Sequence, residues 1–78
     1  MPTILVIDGF RFFFYSNEHQ PIHVHIEKAE KTAKFNLENI KLVKSSGFNG
    51  KDLKLIFNLV KENQELLIQK WNEFFNNK

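Results

Sequence analysis

The chain has no cysteine. Disulfides are thereby excluded, and so are a thiolate nucleophile and any metal site built on sulfur. The absence also fits a reducing compartment. Only three glycines and two prolines occur, and no glycine-rich phosphate loop can be assembled from them. No Ser/His/Asp arrangement can be assembled either. Long hydrophobic runs are lacking: the apolar run Ile4 to Ile7 is closed by Asp8. No basic segment precedes it, and it falls far short of the ~20 residues of a membrane span. An excess of one charge is lacking too. Eleven Lys and Arg stand against nine Asp and Glu, a net +2, which does not by itself argue for nucleic acid. The expectation is a soluble, cytoplasmic protein without membrane contact.

The length of 78 residues predicts a single domain over residues 1–78. A chain this short buries only about 60% of the surface its unfolded form exposes. Small chains compensate with disulfides, metals or oligomerisation. With disulfides excluded, a dense core, a metal or a partner remains. The composition supplies the core, with nine Phe, one Tyr and one Trp. Each aromatic side chain buries roughly 150–250 Å².

The N-terminal half reads as strands. Thr3 to Ile7 is rich in β-branched residues, and Asp8-Gly9 is a hairpin turn signal. Phe10 to Tyr15 follows as a second strand. Period-2 geometry puts Phe10, Phe12 and Phe14 on one side and Arg11, Phe13 and Tyr15 on the other. Ile22 to Glu27 alternates, with Ile22, Val24 and Ile26 on one face and His23, His25 and Glu27 on the other. Thr32 to Leu37 alternates again, with Ala33, Phe35 and Leu37 inward. After a turn at Glu38-Asn39, Ile40 to Val43 makes a short fifth strand. The segment Ser45 to Gly50 is a junction, where Asn49 and Asp52 resemble an N-cap with an acidic first turn. From Lys51 the period becomes helical, through Leu53, Ile56, Leu59 and Val60, then Leu67, Trp71 and Phe74. Asn63 between the two sets either caps a second helix or sits inside one bent helix. The predicted fold class is α+β: an antiparallel sheet of four to five strands over residues 3–43, then one or two helices over about 51–75 packed on one face. One helical layer leaves the Phe13 and Tyr15 face uncovered, which predicts a homodimer or a small protein partner.

All three histidines lie within one short segment, His19, His23 and His25. Imidazole titrates near neutrality and is the commonest metal ligand. His23 and His25 are two apart on a predicted strand, so their rings share a face. His19 sits in the preceding loop, which Pro21 stiffens, and Glu27 continues the strand face. His19, His23, His25 and Glu27 are therefore candidate ligands for a divalent metal such as Zn²⁺. The same three histidines are candidate acid–base catalysts, as in phosphodiester cleavage, with Arg11 or a lysine stabilising developing charge. The plain alternative is a solvated polar strand face, or a surface that meets a partner.

Other features admit two readings as well. Lys28, Lys31, Lys34, Lys41 and Lys44 form a basic stretch interleaved with Glu27, Glu30 and Glu38; it reads as a solvated sheet surface, with RNA contact as the second reading. Phe13 and Tyr15 suit a packed or dimer-forming face, or a base-stacking platform. Trp71 with Phe74 and Phe75 suits the core or an interface anchor.

Several of these features occur together in one family. They are the start Met1-Pro2-Thr3-Ile4, Gly9 before an aromatic strand, the run Glu18-His19-Gln20-Pro21-Ile22-His23-Val24-His25, and a helix with Leu67-Ile68-Gln69-Lys70-Trp71. The chain resembles the small bacterial family known as domain of unknown function 4160. That family's hallmark is an acidic residue and a His, then Pro-Pro-His-x-His on a strand, then a Leu-rich helix with a Trp. Glu18, His19, Pro21, His23 and His25 match the run, and Ile22 departs from it by replacing the second proline. The resemblance covers nearly the whole chain. It implies no known reaction. It implies a gene paired with a small uncharacterised neighbour in toxin–antitoxin-like arrangements without saying which half this chain is, and the toxin side is the reading preferred for it. The alternative is a stand-alone small enzyme or metal-binding protein using the three histidines.

Overall fold

The computed structural model describes residues 3–15 and 21–75. Five strands precede two helices: β1 (Thr3–Ile7), β2 (Phe10–Phe13), β3 (His23–Lys28), β4 (Lys31–Asn36), β5 (Lys41–Ser46), α1 (Gly50–Glu62) and α2 (Gln64–Phe75). The strands form one antiparallel sheet in sequence order, β1-β2-β3-β4-β5. The α+β class, the antiparallel sheet and the C-terminal helices are as the hydrophobic periods predict.

Turn chemistry explains the tight connections. Asp8 and Gly9 both have positive φ, 53° and 84°, as a type I′ hairpin turn requires. The β3–β4 turn places Ala29 at φ 56°, a conformation that costs a non-glycine residue about 1–2 kcal/mol. At the next connection Ile40 also takes a positive φ, 51°. Sequence places Ile40 at the start of a strand ending at Val43, whereas β5 begins at Lys41 and runs to Ser46. Ile40 is partly buried against the core, and this packing offsets the strain that a β-branched residue incurs there. The β4–β5 register also shifts between Lys34 and Phe35, so β5 takes an extra residue that strict alternation does not anticipate.

The helices begin and end as their caps dictate. The Asn49 side chain accepts a hydrogen bond from the Asp52 N–H at 2.8 Å, which satisfies one donor of the first turn of α1. Asn63 separates the two helices. Its backbone and side-chain N–H groups both donate to the Leu59 carbonyl, at 3.1 and 2.8 Å, and its own carbonyl accepts from the Leu67 N–H at 2.9 Å. One residue thus closes α1 and opens α2. Gln64 ties this corner to the sheet by donating to the Leu37 carbonyl at 2.6 Å.

One side of the sheet carries the core. Phe10, Phe12, Val24, Ile26, Ala33 and Phe35 pack with Ile56, Leu59 and Val60 of α1 and with Leu67 and Trp71 of α2. The Phe14 and Trp71 rings meet edge to face at 5.3 Å. Among the described residues, no helix is long and apolar enough to cross a membrane.

Candidate functional site

The other side of the sheet is assembled by register. Arg11 faces Glu27 and Phe13 faces His25 across β2 and β3. His25 in turn faces Lys34, and Lys34 faces Lys44, across β4 and β5. Alternation therefore produces a row running Phe13, His25, Lys34, Lys44 over the open side, beside a second row of Arg11, Glu27 and Thr32.

Phe13 is only 3% exposed although it lies on the side the helices do not cover. Its cover comes from its neighbours. The Arg11 guanidinium sits 4.1 Å from the ring centroid, within cation–π range. Tyr15 meets Phe13 edge to face at 5.3 Å, and the His25 ring stacks on it at 5.5 Å with 26° between planes. Arg11 is itself held in place. Its Nε and Nη2 donate to Oε1 of Glu27 at 3.1 and 2.7 Å, and its Nη1 donates to Oγ1 of Thr3 at 3.1 Å. The expectation that Phe13 awaits an external partner is thus revised, because the monomer buries it. Tyr15 remains 45% exposed.

The two described histidines are brought together. The His23 and His25 rings lie 5.1 Å apart, nearly perpendicular, and Tyr15 meets His25 at 4.6 Å. Their surroundings differ. His25 is half-buried and lines a groove of about 270 Å³ with Phe13, Tyr15, Lys34 and Lys44. His23 is 4% exposed, more deeply buried than alternation on a polar face predicts. It stands at the end of β3 where the open side meets α2, and its ring lies 5.1 Å from Trp71. The His23 Nδ1 is 2.7 Å from the Pro21 carbonyl oxygen. A carbonyl can only accept, so Nδ1 carries the proton and a neutral ring has its lone pair on Nε2. Pro21 thus orients a histidine as well as stiffening a loop.

The remaining sequence candidates separate. His19 and Glu18 lie outside the described residues. Glu27 shares the open side with His25, and its Oε1 accepts from Arg11. Arg11 lies over Phe13, which in turn stacks on His25. Among the described residues there is no group of three or more His, Cys, Asp or Glu placed to hold a metal ion. Of the basic stretch, Lys34 and Lys44 join the His25 groove, whereas Lys28 stands over Phe10 at 4.7 Å. Sequence reasoning singled out neither Lys34 nor Lys44 as a neighbour of His25. The two-residue turn after Lys28 carries that signal, since it fixes the pairing of His25 with Lys34. Trp71 is core, 2% exposed, and Phe74 beside it is 42% exposed.

Chemically, the groove offers a half-exposed imidazole, an exposed phenol ring and two ammonium groups, with the buried His23 ring packed behind His25. This set suits an anion carrying a flat ring. The molecule is a small α+β protein with helices on one side of its sheet and a histidine-bearing groove on the other. It belongs to the family described as a domain of unknown function, DUF4160, which it matches over residues 9–72. The match spans His23, His25, Lys34, Lys44 and Trp71. Neither the curated proteins nor the solved structures yielded a match.

Proposed function

We propose that this chain is the toxin-side member of a two-protein, toxin–antitoxin-like module, and that His25, with His23 packed behind it, acts on the phosphodiester backbone of RNA. The observation that supports this reading is the groove in which His25, Tyr15, Lys34 and Lys44 converge beside the oriented ring of His23. In-line attack by a ribose 2′-hydroxyl needs a base to take its proton and an acid to protonate the leaving 5′-oxygen. His25 at the groove can take the first proton, and an ammonium group of the groove can supply the second. Lys34 and Lys44 balance charge on the phosphate, and Tyr15 gives a base a face to stack on. Controlled expression in bacteria tests the reading: growth should stop with the parent chain and continue with His25→Ala or with Lys34→Ala, Lys44→Ala. Unimpaired growth with well-folded parent protein would refute it.

One observation favours a second reading, a metal-binding protein on the same histidines. An imidazole that donates one N–H to a backbone carbonyl is oriented as metal-ligating histidines commonly are. Nε2 of His23 would then be the ligating atom, joined by His25 and by His19, which lies outside the described residues, around Zn²⁺. Native mass spectrometry of untagged protein with and without added zinc separates the two. Binding of one zinc that His23→Ala abolishes would support the metal reading.

A further inference from the structure

We infer that the outer edge of β5 docks an extended, acidic segment of a partner protein, which adds a strand to the sheet. The partner's existence rests on the two-protein reading above; the edge and its chemistry stand on their own. β5 is an end strand, and among the described residues it pairs with β4 alone. All six of its residues are exposed. A strand edge of this length presents backbone donors and acceptors to any chain of matching character.

Charge defines that character. β4 and β5 together carry Lys31, Lys34, Lys41 and Lys44 and no carboxylate. Lysines on an edge keep like chains away. A second copy would bring its own Lys41 and Lys44 to the contact, and like charges across a strand pair are destabilising. The same lysines attract carboxylates, so the edge discriminates against self-association and in favour of an acidic strand.

Register supplies the rest of the pattern. Leu42 faces Phe35, and Lys44 faces Lys34. Leu42 and Phe35 line a groove of about 530 Å³ beside α1, together with Leu53, Phe57, Lys41 and Lys54. Lys34 and Lys44 line the His25 groove on the opposite side of the sheet. A docked strand that passes over the extra β5 residue between Leu42 and Lys44 presents its side chains to the same two sides. Its apolar side chains enter the Leu42–Phe57 groove, and its carboxylates meet the lysines of the open side. Leu42 and Phe57 are 37% and 38% exposed, and such a strand would cover them. Carboxylates beside Lys44 also neutralise charge in the His25 groove. The partner therefore weakens anion binding there without covering the histidine.

The test uses ¹⁵N-labelled protein and the peptide acetyl-Glu-Val-Glu-Ile-Glu-Val-Glu-amide. Its addition should shift the amide resonances of residues 41–46 and slow their hydrogen exchange, while the Lys-for-Glu peptide should do neither. Lys41→Glu with Lys44→Glu changes only exposed side chains. It should weaken the acidic peptide on the order of tenfold, from the loss of cross-strand pairs, and should admit the basic one. His25→Ala should bind the acidic peptide as the parent does, so the edge and the histidine site are read separately. Unchanged resonances at 41–46, equal response to both peptides, or a stronger response there to an oligouridylate would each overturn the inference. So would a dimer in solution whose contact includes 41–46, which would assign the edge to a second copy.

Discussion

On the covered side of the sheet, Phe12, Val24, Ile26 and Phe35 pack with Ile56, Val60, Leu67 and Trp71, and none of these eight is more than 2% exposed. On the open side Phe13 is almost as deeply buried, at 3%, yet its cover is Arg11, Tyr15 and His25. The first side excludes water with hydrocarbon from another layer of secondary structure. The second does so with polar-tipped side chains of the sheet itself, whose apolar bodies pack while their charged or titratable ends stay near solvent. The difference shows how so small a chain places titratable side chains on a sheet face without a second helical layer. It also predicts that substitutions on the covered side cost more stability than those on the open side.

The largest expected effect is on the covered side. Trp71→Ala removes the ring that joins Phe14, Phe75 and His23. It should cost about 3–5 kcal/mol, a large share of the 5–15 kcal/mol typical of a folded domain. Urea denaturation should show this as a midpoint lowered severely or as loss of the folded baseline. Phe13→Ala should cost less, about 2–3 kcal/mol, because its flexible lid can close over part of the space and admit water to the rest. If Phe13→Ala proved as damaging as Trp71→Ala, the two sides would not differ as described.

Two smaller effects sharpen the contrast. Ala29→Gly relieves a left-handed conformation and should raise stability by up to about 1 kcal/mol after the entropy cost of glycine is subtracted. Thermal denaturation reads it as a modest rise in midpoint. Glu27→Gln keeps the shape of the Arg11 partner and removes its charge. Because the pair is partly exposed, the loss should stay below about 1 kcal/mol and should shrink further in high salt.

Much of the fold is legible in the sequence because two periods mark it. Ile22, Val24 and Ile26 on one face and His23, His25 and Glu27 on the other are readable from alternation alone, as are Asn49 as a cap and Asp8-Gly9 as a turn. Ile40 and β5 are less legible. A β-branched residue reads as strand, and only tertiary packing against the core holds it at positive φ. The bulge beside Phe35 is likewise invisible to a strict alternation. In the site, the His23–His25 pairing follows from spacing. The burial of His23 does not, because it depends on where α2 sets Trp71. The cover over Phe13 depends on Arg11 folding back across a neighbouring residue, a choice that composition cannot express. Lys34 and Lys44 are legible only once the hairpin register is fixed.

Under the proposed function, the open side of the sheet carries the chemistry while the covered side holds the fold. Cleavage of a fluorogenic single-stranded RNA by purified parent protein and by His25→Ala, at matched folded fraction, tests it most directly. Parent protein should cleave, and His25→Ala should be at least about 100-fold slower, the usual minimum for loss of an acid–base group, with its urea midpoint nearly unchanged. Equal cleavage by both proteins, or none by the folded parent, would contradict it.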